Sequence, residues 1–197
     1  IGVILGNGRF YTMRQNYKPY KIPTFGYPKL RLNLIVEYTD GSRQTIASDI
    51  SWKLTTEGPI RSNNEYDGEE YDARKELGDW NRTGYDDTNW IPAGRVSIPS
   101  GTLRAQMMPG MKVTESLKPV SIRKQGDKHI LDIGQNMAGW LRIRIKGQAG
   151  DSIRLRFAER LQADGEIFTK NLRDAHCTDI YVVSGREPQD ATWAPRF

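Results

Sequence analysis

Apolar and polar residues alternate along much of this chain, and the 3.6-residue recurrence of an amphipathic helix is scarce. In residues 30–38, Leu30, Leu32, Leu34, Val36 and Tyr38 fall on one side of an extended segment. The Asp40-Gly41 pair that follows predicts a turn, with residues 43–46 returning as the second strand of a hairpin. Residues 141–157 carry a clearer alternation. There Leu141, Ile143 and Ile145 interleave with Arg142, Arg144 and Lys146, and after the turn at residues 148–151 Ile153, Leu155 and Phe157 interleave with Arg154 and Arg156. The pattern predicts a second hairpin with a buried apolar face and a basic, solvated outer stripe. Helix is predicted only as short pieces or turns at residues 72–80 and 86–90. The opening Ile1, Gly2, Val3, Ile4 and Leu5 read as an apolar strand.

Short alternating strands punctuated by 19 glycines and 10 prolines imply an all-β fold of two β-sandwich, jelly-roll-like modules, mainly antiparallel. Pro109, Gly110 and Pro119 mark a seam, placing the modules at residues 1–116 and 117–197. Both ends stop in apolar sequence, so the chain reads as part of something longer, each module lacking strands. Its 197 residues are enough for two modest cores. The longest apolar runs fall far short of the roughly 20 residues that span a bilayer, so no membrane helix is expected. One cysteine, Cys177, excludes an intramolecular disulfide and leaves the compartment open, cytoplasmic or exported. The net charge of +5 is spread along the chain among acids and is not interleaved with aromatics, which argues against a nucleic-acid partner.

The candidate chemistry centres on "YDGEEYDAR", residues 66–74, which packs four carboxylates and an arginine into nine positions. On one strand Glu70 and Asp72 share a face with Cα atoms roughly 6.7 Å apart, within the about 6.5–9.5 Å carboxyl separation of inverting glycosidases. Their side chains would point the same way, however, whereas a catalytic pair must flank the scissile bond. Arg74, continuing that face, would keep Asp72 ionised. Asn63, Asn64, Asp67, Glu69 and Asp72 also offer oxygen ligands for calcium, against the simpler reading of a turn at Asp67-Gly68 joining two strands, with the two asparagines in the loop before it. Cys177 beside His176, with Asp179 nearby, could be a thiol site, but neighbours on a strand face opposite ways. A pairing of Glu69 with Glu159 from distant strands stays open. Gly6-Asn7-Gly8 lacks the third glycine and the helix of a dinucleotide loop. Trp52, Trp80, Trp90, Trp140 and Trp193 could stack on sugar rings or fill cores.

Taken in order, Trp52, the run Glu57-Gly58-Pro59-Ile60, "YDGEEYDAR", Trp80, "GYDDTNW" and "RAQMMPGMKV" resemble the N-terminal β-sandwich region of bacterial α-L-rhamnosidases of glycoside hydrolase family 78. "LDIGQNMAGW", "GQAGDSIRLRFAERLQADGEIFTKNLRDAHCTDIYVVSG" and "WAPRF" are similar to the next sandwich module of the same enzymes. The resemblance implies a non-catalytic part of a multi-domain enzyme that releases terminal α-L-rhamnose, with inversion. It assigns no catalytic residue here, because the family's acid and base lie on an (α/α)6 barrel beyond these modules. It also implies a rhamnose-containing carbohydrate as partner, with a sugar site around Trp52, Asn63, Asn64 and Glu69. Calcium enters by the same route, since some relatives bind rhamnose through it; the alternative is therefore a lectin-like, calcium-assisted module independent of catalysis.

Overall fold

A computed structural model describes residues 1–12, 26–98 and 100–196. Among the described residues twelve short strands carry the fold: β1 (Asn33–Glu37), β2 (Arg43–Ala47), β3 (Lys53–Leu54), β4 (Ile60–Asn64), β5 (Gly68–Asp72), β6 (Ile91–Pro92), β7 (Ser121–Gln125), β8 (Lys128–Asp132), β9 (Ile143–Arg144), β10 (Ser152–Arg156), β11 (Thr178–Val182) and β12 (Thr192–Trp193). The described helical segments are single 3₁₀ turns, Ala73–Lys75 and Lys170–Leu172. The all-β expectation holds, and among the described residues every strand pairing but one is antiparallel.

The contacts divide the chain into two compact units. One comprises residues 1–96, 140–156 and 172–197. Its centre is a four-stranded sheet in the order β10-β11-β5-β4. The exceptional pairing lies here: β11 runs parallel to β5, with Ile180 opposite Glu70, Tyr181 opposite Tyr71 and Val182 opposite Asp72. One side of this sheet is the core. Tyr71 and Tyr181 stack with ring centroids 5.5 Å apart and planes 7° from parallel, and Trp193 from β12 tilts against both at 5.9 and 5.2 Å. Ala73, Ile145 and Val183 complete the buried cluster, with Ile143, Ile153 and Leu155 packed on it. Aromatic contacts of this kind add to the burial of large apolar areas. The Trp193 indole N–H is buried with no hydrogen-bond acceptor among the described residues.

The second unit, residues 97–139 and 157–171, is built on the β7–β8 hairpin, with Gln125 opposite Lys128 around Gly126 and Asp127. A loop bridged by Leu161 and Ile167 is tied to it by Gln125 Nε2 donating to the Asp164 carbonyl at 3.1 Å and by Lys128 pairing with Glu166 at 3.3 Å.

Several expectations change. The hairpin of β1 and β2 forms around the expected turn, but Leu34 and Tyr38 are exposed rather than half-buried and no third strand joins the pair among the described residues. Residues 141–157 do not form a hairpin. β9 pairs with β12 and β10 with β11, so Ile145 N donates to the Ala191 carbonyl and Gly150 N to the Val183 carbonyl. Alternation fixes which face a side chain takes, not which strand lies alongside. The basic stripe is therefore split, with Arg144 in one sheet and Arg154 and Arg156 in another. Residues 1–5 form no paired strand, and Gly2 lies so close to Trp80 that a Cβ there would meet its ring at 2.2 Å. The helix expected at residues 72–80 is the single turn at Ala73, and residues 86–90 make a turn in which Trp90 N donates to the Asp87 carbonyl.

Candidate functional site

The four-stranded sheet turns two unlike faces outward and inward, and the acids of "YDGEEYDAR" divide between them. A strand alternates its side chains, so Glu69 and Tyr71 go to the core face and Glu70 to the solvent face. Glu69 is 1% exposed, and its Oε2 accepts from Arg196 N at 3.0 Å. Opposite it on β4 stands buried Asn63, whose Oδ1 accepts from Asn7 N at 2.6 Å. Asp179, also buried, accepts from Glu69 N at 2.9 Å, and burial raises its carboxyl above the ordinary value. Buried polar groups placed this way satisfy backbone N–H groups that packing would otherwise strand.

The turn between β4 and β5 is a hub. Asn64 Oδ1 accepts from Tyr66 N and Asp67 N at 2.9 and 3.0 Å, while its amide donates to Asp67 Oδ2 at 3.0 Å. Asp67 Oδ1 accepts from His176 N at 3.1 Å, and the Asp67 carbonyl accepts from Thr178 N at 2.9 Å. Gly68 takes φ +95°, and a Cβ there would lie 2.3 Å from the Thr178 carbonyl oxygen. Glycine is thus required twice, by dihedral and by close approach. The turn at Asp67-Gly68 is as expected, but Asn63 and Asn64 end β4 rather than lie in a loop. β5 stops at Asp72, which caps the 3₁₀ turn by accepting from Arg74 N and takes a two-pronged ion pair from the Arg74 guanidinium at 2.9 and 2.8 Å. That pair holds the Asp72 carboxyl below its usual range, as the sequence predicted.

Over the solvent face opens a groove of about 360 Å³. One cross-strand row sets Ser62, Glu70, Ile180 and Arg154 side by side on β4, β5, β11 and β10. The next sets Gly68, Thr178 and Arg156, with His176 at the end. Of the three acids at this edge, Glu70 is exposed, Asp67 is bonded to the turn and to β11, and Glu69 is turned to the opposite face. An opposed acid pair for glycoside hydrolysis is not what this groove presents.

The residues singled out for sugar or metal separate. Asn63 and Glu69 face each other, buried; Asn64 secures the turn; Trp52, half-buried, precedes β3 in a different, two-stranded sheet. Of the oxygens considered for calcium, Asn63 Oδ1 accepts from Asn7 N, Asn64 Oδ1 from the turn, Glu69 Oε2 from Arg196 N and the Asp72 carboxylate from Arg74. Among the described residues no three His, Cys, Asp or Glu side chains gather to hold a metal ion. Cys177 sits at φ +45°, and burial pushes its thiol up, the reverse of what a nucleophile needs. Glu159 lies in the second unit. Sequence reasoning passed over Arg154 and Arg156 as sites. Their shared face was readable, but their neighbours Thr178 and Ile180 depend on the β10–β11 pairing, and Glu70 on a parallel pairing between residues more than a hundred positions apart.

Residues 1–115 match the α-L-rhamnosidase N-terminal domain. The chain belongs to that family. Residues 122–197 match the bacterial α-L-rhamnosidase concanavalin-like domain, so the four-stranded sheet takes β4 and β5 from one matched region and β11 and β10 from the other. Similar proteins include an α-L-rhamnosidase of Streptomyces avermitilis, 41% identical over 86% of this chain and 16% of the relative. One from Formosa agariphila is 34% identical over 100% of this chain and 21% of the relative. Among solved structures, the α-L-rhamnosidase from Dictyoglumus thermophilum superposes with a TM-score of 0.81 at 35% identity, over 98% of this chain and 21% of that one. The Streptomyces avermitilis enzyme complexed with L-rhamnose gives 0.78 at 38% identity, over 84% and 16%. The chain thus spans about a fifth or less of the length of these relatives.

Proposed function

We propose that this chain is the accessory β-sandwich region of an α-L-rhamnosidase, working beside a catalytic (α/α)6 barrel in a longer polypeptide that releases terminal α-L-rhamnose. The observation that carries this reading is the ordered match of residues 1–115 and 122–197 to two rhamnosidase domains. The local geometry supports it, since Asp67, Glu69 and Asp72 of "YDGEEYDAR" bond to backbone and arginine. In this reading residues 1–116 and 117–197 are the two modules, joined through the shared sheet. The region supports the barrel and contacts rhamnose-containing carbohydrate. Trp52 and Asn64 keep surface for a sugar, whereas Asn63 and Glu69 act only by holding β4 and β5.

The test has two arms. The longer protein is incubated with an aryl α-L-rhamnoside, and hydrolysis is expected; its absence would overturn the assignment. The 197-residue chain is titrated with L-rhamnose, with and without calcium. Saturable binding supports a carbohydrate-contacting role, and strict dependence on calcium would shift the reading to the lectin-like module.

A further inference from the structure

Ion pairs neutralise part of the first unit's positive charge: Arg9 pairs with Glu65, Arg43 with Glu37, Lys53 with Asp87 and Arg74 with Asp72. Arg154 and Arg156 are set apart by lying in the groove. Both are exposed, both line the groove, and neither side chain has an ion pair or hydrogen bond among the described residues. Positions two apart on a strand share a face at roughly 6.7 Å, close enough for two guanidinium groups to converge on one anion. Arg154 is separated from Glu70 by Ile180, two strand spacings or roughly 9.6 Å between Cα atoms, and the two side chains make no ion pair.

The groove therefore runs from hydrogen-bonding groups, Ser62 and Glu70, over a half-buried apolar floor, Ile180, to an unneutralised arginine pair with the Thr178 hydroxyl beside it. A sugar ring matches that order, with its CH face on isoleucine and its hydroxyls on serine and glutamate. A neutral sugar would leave the arginines without a partner; one bearing an acid group gives them charge-assisted, two-pronged bonds. We propose that this groove binds an acidic saccharide, its carboxylate or sulfate held by Arg154 and Arg156. The proposal rests on the carbohydrate-binding reading above and narrows it to a chemical class. Two arginines with no Phe, Tyr or Trp lining the groove are a poor match for a nucleic-acid strand, which needs a longer basic track and stacking platforms.

The 197-residue chain is titrated by amide NMR with D-glucuronate, D-glucose 6-sulfate and D-glucose. One of the acids is expected to bind at least tenfold tighter than glucose, shifting amides in β10 and β11, and the tighter of the two names the acid group. The double variant Arg154→Gln, Arg156→Gln should lower that affinity at least tenfold, to the level of glucose, and added salt should weaken it. Should the double variant lose its dispersed spectrum, Arg154→Gln alone serves, with a smaller loss in the same direction. Equal binding of all three sugars, or acid binding untouched by the arginine changes, overturns the proposal. Because the rhamnoside assay above uses a neutral substrate and the longer protein, either result can fail without the other.

Discussion

The two faces of the four-stranded sheet are made by the same strands from the same kinds of residue, yet they treat polar groups in opposite ways. Inward, Glu69, Asn63 and Asp179 are buried and bonded to backbone N–H groups, next to the Tyr71, Tyr181 and Trp193 rings. Outward, Glu70, Arg154 and Arg156 are exposed and unpaired among the described residues. A carboxylate beside an aromatic core is costly unless satisfied, so its bonds report folding. Unsatisfied charges in a solvated groove cost little and remain available to a ligand. Side-chain type alone is therefore a poor guide to function in this stretch; the face decides.

The contrast can be broken in graded steps. Trp193→Ala removes the ring that touches both stacked tyrosines and should cost about 3–5 kcal/mol, read by denaturant unfolding. Trp193→Phe should cost less, since no acceptor for the indole N–H is lost. Gly68→Ala must relieve a 2.3 Å approach to the Thr178 carbonyl at positive φ and should cost about 2–4 kcal/mol in the same measurement.

Alkaline pH attacks the same interior. Burial first, then hydrogen bonds to Glu76 and Glu187, raise Tyr71 and Tyr181 above the ordinary phenol value. Both tyrosines thus contribute stability that is intact below about pH 10 and is lost as pH rises through their folded values. A pH series of melting temperatures should fall steeply there, and Tyr181→Phe should flatten the fall.

Asp179→Ala leaves the buried Glu69 N–H without its acceptor and should cost about 1–3 kcal/mol. Asp179→Asn, which keeps an oxygen there and removes a carboxyl that burial disfavours, should cost less. On the outer face, Arg154→Gln should change stability by no more than about 0.5 kcal/mol. A loss as large as that of Asp179→Ala would erase the distinction between the faces.

What was legible in the sequence follows from what each signal encodes. The Asp40-Gly41 turn and its flanking alternation gave β1 and β2, and Asp67-Gly68 gave the β4–β5 hairpin, because both are local. The inward set at Ile143, Ile145, Ile153 and Leu155 was also correct. Their partners were not readable, since β9 and β10 each turn to the C-terminal segment instead of to each other. The groove suffered most from this. Arg154 reaches the neighbourhood of Glu70 only because β11 inserts between β10 and β5, and no periodicity announces a parallel pairing across the chain.

The most direct measurement is turnover by the 197-residue chain itself on an aryl α-L-rhamnoside, compared with a buffer blank. If the acids of residues 66–74 are framework, the chain releases no aglycone above the blank. Release that saturates with substrate and disappears in Glu70→Gln, with the melting temperature unchanged, would contradict the account.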